Sequence, residues 1–282
     1  MKLSCSFLRR AALCLLLALS ASGAAAAPSG KTNDWVSLFN GRDLSGWTII
    51  LGQPESGPET RQEVFKVVQA DGEPAIRVSG EGLGGLTSDD SYENYHLELE
   101  FKWGEGRFWP RADAPRDSGL LYHGSSEHAP GTGWIESMEF GILEGGETGD
   151  FWSVPGPATQ SVVVDVTGED IPESERRYHE QAIRYRPGGK KYTAIKSGIL
   201  NSQDYEKPRG QWNKLDLICF GQTAIHAVNG KVNLVLTRSR RQIGGKEEPL
   251  TRGRLQLQCE GAETFFRRIR VRQISEIPPQ FR

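Results

Sequence analysis

The amino-acid sequence predicts an all-β protein, an antiparallel β-sandwich, from two observations. The first is an alternation of apolar and polar side chains with a period of two residues. In YHLELEFKW, residues 95–103, every second residue is apolar and those between are polar or charged, as in a half-buried strand. The second is that no segment shows a convincing amphipathic helical period. Many such strands in one chain are typical of two packed antiparallel sheets.

Similar strands follow one another along the chain, with turn residues between them. Asn229 and Gly230 tolerate a positive φ, so AIHAVNGKVNLVL predicts a tight hairpin. Segments 103–117 and 141–159 are rich in Gly, Pro and aromatic residues, and we expect them to form long functional loops. The other predicted strands are EVFKVV, AIRVS, SGLLYH, QSVVVDV, QAIRYR, KLDLICF, GRLQLQC and TFFRRIRVRQI.

The first 27 residues have the three-part form of a secretory signal peptide. A basic start precedes the apolar run 11–19, and small residues follow up to Ala27. The apolar run is too short to span a bilayer comfortably. We therefore expect residues 1–27 to be removed and the protein to be secreted or periplasmic, without a membrane anchor. Residues 28–34 would then be a linker, 35–276 one domain and 277–282 a C-terminal tail.

The charge of the mature chain bears on its binding partners, and its cysteine content bears on disulfide formation. Three of the 34 basic residues and none of the 36 acidic residues leave with the signal peptide, so the formal charge falls from −2 to −5. A chain without a basic patch is a poor partner for nucleic acid or an anionic membrane. Cys219 and Cys259 remain in the mature chain. They either form a disulfide between neighbouring strands or are two small buried apolar residues.

Several ordered segments together resemble the 3-keto-disaccharide hydrolase family. They are WVSLFNGRDLSGWTI (35–49), DSGLLYHG (117–124), MEFGILEGGETGDFW (138–152), RGQWNKLDLICFGQTAIHAVNGKVN (209–233) and GRLQLQCEGAETFFRRIRV (253–271). The resemblance implies a concanavalin-like jelly roll with long loops over a concave, sugar-binding face. The sequence departs from the family pattern at Gly141, where Gln is frequent, and at Asp117 and Arg268, where Asn is usual.

The resemblance also implies action on glycosides whose sugar carries a ketone at C3. The ketone acidifies the hydrogen on C2, so the glycosidic bond can break by proton abstraction and loss of the C1 substituent, followed by hydration. The predicted partner is therefore an oligosaccharide or glycoside. A non-catalytic carbohydrate-binding module is the main alternative. A retaining glycosidase is less favoured, because Glu136 and Glu139 are three residues apart and would leave opposite faces of a regular strand.

Glu139 is the first candidate catalytic residue. It lies within a predicted strand, so the pleat of the backbone fixes its direction, and it would act as a general base or bind a cation. Glu144 and Asp150 follow in the glycine-rich loop and are secondary catalytic candidates. The alternative is that these carboxylates are solvated surface charges. For Glu147, in the same loop, that is the favoured interpretation.

His123 and His226 complete the predicted catalytic set. Each lies in a strand of a family-like segment, and together with Glu139 they would form a divalent-metal site that polarises a ketone. Without a metal they would be acid–base partners. Because the spacing contains no tight H-x-H or H-E-x-x-H pattern, a structural role for each histidine is the favoured alternative.

Aromatic residues crowd the two long loops and their borders. Sugars stack their C–H faces on aromatic rings, and carboxylates accept hydrogen bonds from their hydroxyls. The predicted substrate-binding residues are Trp109, Trp134, Trp152, Tyr122 and Glu136. The alternative is that these rings pack the loops onto the sandwich. Such a set does not distinguish catalysis from binding.

Overall fold

The computed structural model describes residues 34–52, 63–127, 129, 131–156, 160–176, 182–195 and 198–282. The predicted signal peptide lies outside these residues. No helix within them is long and apolar enough to cross a membrane. They form nineteen strands and two 3₁₀ helices, Glu173–Glu175 and Pro279–Phe281.

The strands, numbered in chain order, are β1 (Val36–Ser37), β2 (Trp47–Leu51), β3 (Phe65–Ala70), β4 (Glu73–Val78), β5 (Leu83–Glu93), β6 (Tyr95–Arg107), β7 (Asp117–Gly124), β8 (Ser137–Leu143), β9 (Phe151–Val154), β10 (Gln160–Asp170), β11 (Ile183–Tyr185), β12 (Lys190–Ile195), β13 (Ile199–Leu200), β14 (Asn213–Phe220), β15 (Thr223–Val228), β16 (Lys231–Ile243), β17 (Lys246–Pro249), β18 (Arg252–Glu260) and β19 (Ala262–Gln273).

Hydrogen bonds join these strands into one sheet. One run of neighbours, the first run, is β2–β5–β18–β7–β8–β9. The second run is β10–β16–β15–β14–β6–β19–β4–β3. Short strands β13 and β11 link the two runs, and β11 with β13 is the parallel pairing in an otherwise antiparallel set. The all-β, antiparallel prediction is confirmed, but the strands form one continuous sheet instead of two separate ones.

The inward faces of the two runs share one hydrophobic core. The alternation predicted for β6 is confirmed, because all its apolar positions from Tyr95 to Trp103 are buried. A smaller cluster lies on the opposite face of β14 and β15, where the C-terminal residues Ile274 and Phe281 cover Ile218 and Ile225. The second run is therefore buried on both faces at this end, which alternation alone does not reveal.

Two local predictions can be compared with the structure. Asn229 and Gly230 have φ values of 51° and 81° in the turn between β15 and β16, as the hairpin prediction requires. Cys219 and Cys259 are both free and buried, so no disulfide forms. They lie on β14 and β18, which belong to different runs and do not pair. Burial raises the pKa of each thiol to about 12.

Candidate active site

A cleft of ≈ 210 Å³ lies on the face of the first run that points away from the core. Strand alternation directs the side chains: Glu139 and Gly141 of β8 line the cleft, while Phe140 and Ile142 are in the core. On β18, Gln258 and Glu260 line the cleft in the same way. The loop between β6 and β7 contributes Arg111, and the loop before β9 contributes Asp150.

Two glycines opposite each other on β7 and β8 make room for the polar groups. Gly119 pairs with Gly141. A Cβ atom at Gly119 would lie 2.6 Å from Glu139 Oε1 and 2.9 Å from Gln258 Oε1. A Cβ atom at Gly141 would lie 2.1 Å from Asp150 Oδ1, so Asp150 could not keep its place beside any larger residue there. The departure from the family pattern at Gly141 thus admits a carboxylate into the cleft.

The cleft is rich in carboxylates and poor in cations. Arg111 Nη2 donates hydrogen bonds to both Asp117 and Glu260. Among the described residues that line the cleft, Arg111 is the only side-chain cation, against four carboxylates. These are Asp117, Glu139, Asp150 and Glu260.

Burial and mutual repulsion change the protonation of these carboxylates. Burial raises the pKa of Glu139 well above its ordinary value of 4.5, and the charges of Glu260 and Asp150 raise it further, whereas Arg111 opposes the shift. Burial and Glu260 also raise the pKa of Asp117, and burial raises that of Glu260. Carboxyl groups whose pKa values are raised by burial are suited to proton transfer.

Two indole rings form walls of the cleft. Trp152 lies opposite Glu139 across the β8–β9 pair, and its Nε1 donates to Asp150 Oδ2 over 2.9 Å. Trp134 Nε1 donates to the carbonyl oxygen of Cys259 over 3.3 Å. Four predicted residues are therefore brought together: Glu139, Asp150, Trp134 and Trp152.

His226, on β15, packs against the core face of the first run, whereas Glu139 points from the opposite face into the cleft. Its ring stacks on Phe140 with centroids 4.2 Å apart, and Phe140 faces the core. Its Nε2 is 2.9 Å from Tyr122 Oη and its Nδ1 is 3.0 Å from the carbonyl oxygen of Gly149. Burial lowers the pKa of His226 to about 4, so the ring is neutral at pH 7. His226 and Tyr122 thus have a structural contact in the core and do not line the cleft.

His123 is also in the core. It has a φ of 52°, and its ring lies edge-on to Tyr95 and Tyr122, with centroids 6.0 and 5.3 Å away. Burial lowers its pKa to about 3. The predicted metal set of His123, Glu139 and His226 is not brought together, because the histidines lie on the core side and Glu139 on the cleft side. These three residues do not fit a shared metal ion.

A different cluster of potential metal ligands occurs on the second run. Among the described residues, His96, Glu98 and Asp216 form the one such group whose ligand atoms lie within 4.8 Å of one another. Its oxygens are already bound: Lys214 Nζ is 2.6 Å from Glu98 and 3.1 Å from Asp216, and Arg270 Nε donates to Glu98 over 2.7 Å. Since side-chain cations occupy these ligand atoms, the cluster fits an ion-pair network better than a metal site.

The remaining predicted residues do not line the cleft. Glu144 pairs with Arg116 over 3.0 Å in the turn after β8. Glu136 is fully buried and pairs with Arg241 over 3.0 Å. Trp109 is 67% exposed on the loop between β6 and β7, two residues before Arg111.

Four cleft residues with charged or amide side chains are not among the sequence-based candidates: Arg111, Asp117, Gln258 and Glu260. The sequence indicates the direction of Gln258 and Glu260, because Gln256, Gln258 and Glu260 all lie on the face of RLQLQCE opposite to its leucines. Asp117 was noted only as a departure from the family pattern. Arg111 lies in an irregular loop, where no periodicity indicates its direction.

The family model of the 3-keto-alpha-glucoside-1,2-lyase-like domain matches residues 34–272. Among curated proteins, no match was found. A solved "putative glycosyl hydrolase" of Parabacteroides distasonis is 20% identical, with 86% of this chain and 100% of that chain covered and a TM-score of 0.48. A carbohydrate-binding module of Bacillus subtilis is 9% identical, with 80% and 95% covered and a TM-score of 0.44.

The family match spans most of the described residues and contains every strand that forms the cleft. The resemblance inferred from the sequence is therefore confirmed. The chain belongs to the 3-keto-alpha-glucoside-1,2-lyase-like domain family.

Proposed function

We propose that the protein is an exported enzyme that cleaves the glycosidic bond of 3-keto-glycosides or 3-keto-disaccharides. Membership of the family supports this function, as do the carboxyl groups with raised pKa values and the two indole rings that line the cleft. The proposal includes removal of residues 1–27, a single domain over 35–276 and a jelly roll whose concave face carries the cleft.

The observation that carries the proposal is the environment of Glu139. Its side chain is 7% exposed, it is fixed on β8, and its pKa is raised well above the ordinary value. When ionised, such a carboxylate is a stronger base than a solvated glutamate. The hydrogen on C2 of a 3-keto sugar is only weakly acidic, so a stronger base suits its removal.

The first half of the proposed reaction is an elimination. Glu139 takes the C2 hydrogen as a proton, and the electron pair of the C2–H bond forms an enolate with the C3 ketone. Arg111 stabilises the negative charge that develops on the C3 oxygen. The enolate electrons then form a C1=C2 double bond as the C1–O bond breaks, and the leaving oxygen takes a proton. Asp117 and Glu260, whose pKa values are also raised, are the candidate donors.

The second half is a hydration. Water adds to C1 and gives one proton to the carboxylate that protonated the leaving oxygen, while the proton held by Glu139 returns to C2. The net reaction is hydrolysis without an oxocarbenium intermediate. Trp134 and Trp152 would hold the sugar by stacking on its apolar faces during both steps.

The test is incubation of residues 28–282 with 3-keto-glycosides and with the same glycosides unoxidised. We expect release of the leaving group only from the keto substrates. Absence of release from all keto-glycosides by the folded protein would reject the proposal. Binding of the sugars without release would instead support the carbohydrate-binding alternative.

A chelator is added in a parallel series. If the carboxylates and Arg111 carry the reaction, the rate stays unchanged. Loss of activity on chelation, restored by a divalent cation, would assign polarisation of the ketone to a metal ion instead of Arg111.

A further inference from the structure

Gln258 has an unusual position in the cleft. It is 1% exposed, and its Oε1 has no hydrogen-bond partner among the described residues. A buried amide oxygen without a partner is costly, so a native structure that contains one usually supplies the partner from elsewhere. Gln258 lines the cleft, so a ligand in the cleft can supply that partner.

The oxygen of Gln258 lies beside the proposed base. Glu139 Oε1 and Gln258 Oε1 are 2.6 and 2.9 Å from the same point, the position that a Cβ atom of Gly119 would take. The two oxygens are therefore no farther apart than the sum of these two distances, so a substrate carbon whose hydrogen faces Glu139 can direct its other substituent to Gln258. In the proposed reaction this carbon is C2, which carries both the hydrogen that is removed and a hydroxyl group.

This end of the cleft offers acceptors, whereas Arg111 offers donors. A carboxylate accepts hydrogen bonds only, and the oxygen of an amide does the same. A ketone oxygen is also only an acceptor, so it is repelled from Glu139 and from Gln258 Oε1 and attracted to Arg111. A hydroxyl on C2 can donate to Gln258 Oε1. The two ends of the cleft thus orient the C3 ketone and the C2 substituent in opposite directions.

We propose that Gln258 is a specificity-determining residue that accepts a hydrogen bond from the C2 substituent of the sugar. The substrate class is then restricted to 3-keto-glycosides with a hydrogen-bond donor at C2, which is a free hydroxyl or an amine. Sugars with hydrogen, fluorine or an O-methyl group at C2 are rejected, because each leaves Gln258 Oε1 unpaired or places an acceptor against it. This inference rests on the proposed function for the identity of C2.

The first experiment measures binding without turnover. Methyl glucoside, its 2-deoxy, 2-deoxy-2-fluoro and 2-O-methyl derivatives, and methyl glucosaminide are titrated into the wild-type protein by calorimetry. We expect the three sugars without a C2 donor to bind at least about tenfold more weakly than the two with one. Equal binding across the series would overturn the inference, whether or not the enzyme turns over keto-glycosides.

The second experiment uses two substitutions of Gln258. Gln258→Leu removes the acceptor, and we expect methyl glucoside to bind no better than its 2-deoxy derivative. Gln258→Glu keeps an acceptor at the same place, so the preference for a C2 donor should persist. A structural role alone would not separate the two variants by their C2 preference. Retention of the preference in Gln258→Leu would also overturn the inference.

Turnover is measured separately on 3-keto-glucosides with and without the C2 hydroxyl. Release from neither substrate, with the C2 preference intact in binding, would reject the proposed reaction but leave the role of Gln258 standing. Equal release from both would reject the role of Gln258 and leave the reaction standing.

Discussion

Two clusters of charged and polar residues in this protein have similar composition but different roles. The cleft cluster consists of Asp117, Glu139, Asp150, Glu260 and Arg111 on the first run. The outer network consists of His96, Glu98, Asp216, Lys214 and Arg270 on the second run. In both clusters, strand alternation places the strand residues on the face opposite to the main core, whereas Arg111 and Asp150 come from loops.

The two clusters differ in their ratio of cations to carboxylates. In the outer network, burial alone would raise the pKa of Glu98, but hydrogen bonds from Lys214 and Arg270 outweigh it and lower the pKa. In the cleft cluster, the pKa values of Asp117, Glu139 and Glu260 are raised. The outer network is thus built to hold the fold together, whereas the cleft cluster keeps carboxyl groups in a state that destabilises the fold and favours proton transfer.

The largest expected effect is the loss of activity in Glu139→Gln. Removal of a general base lowers kcat/KM by roughly 10²–10⁴-fold. Glu139 has a raised pKa in the folded state, so its ionisation opposes folding as the pH rises from 4.5 through that pKa. The melting temperature of Glu139→Gln at pH 7 should therefore equal or exceed that of the wild type.

The matched control for this variant is Glu144→Gln. Glu144 is bound to Arg116 and does not line the cleft, so its replacement should leave kcat/KM nearly unchanged. Comparable activity in the two variants would contradict the assignment of Glu139.

The second effect is on stability. Asp216 is 1% exposed and contacts His96 and Lys214, so Asp216→Asn removes the buried carboxylate that both side chains contact. We expect the free energy of unfolding, measured with urea, to fall by about 2 kcal/mol, the contribution of hydrogen bonds to a charged group. The activity per folded molecule should not change. A variant with unchanged stability and reduced activity would contradict the assignment of a structural role to the outer network.

The third effect is a shift in pH dependence. Because Glu139 must be ionised to act as a base, kcat/KM should rise with pH through its raised pKa. Among the neighbouring charges, Glu260 contributes most to that pKa. Glu260→Gln should therefore move the rising limb of the pH–rate profile to lower pH. A limb that stays in place would show that Glu139 is not the group that titrates.

The smallest effect concerns stability in acid. The folded-state pKa of Glu98 is lowered, so its contribution is present above pH 4.5 and is lost as the pH falls through the folded-state value. Glu98→Gln should lower the free energy of unfolding at pH 7 by about 1 kcal/mol and make it less dependent on pH in acid. Melting temperatures between pH 3 and pH 7 measure this, and equal slopes in both proteins would contradict it.

The fold could be predicted from local patterns because strands and tight turns depend on neighbouring residues. The predictions of alternation in β6 and of a tight turn at Asn229-Gly230 are both confirmed. The prediction of two separate sheets is not confirmed. The short strands β11 and β13, which do not stand out in the sequence, connect the two runs.

The candidate site was predicted in part. Glu139, Asp150, Trp134 and Trp152 meet in the cleft. His123 and His226 were placed beside them on the sequence, but the structure puts both in the core. Glu136, Glu144 and Tyr122 have partners elsewhere. Each partner is distant in sequence, so no local pattern could identify it.

The sequence by itself determined the strands and which residues share a face. Alternation along AIHAV, for example, puts His226 on the face opposite to Ile225 and Ala227, and this is so in the structure. Only the tertiary structure decided what each face contacts. Ile225 and Ala227 are covered by the C-terminal segment, and His226 packs on Phe140. Alternation follows from the geometry of one strand. Which face joins the core and which face lines the cleft depends on the strands that pack against each face.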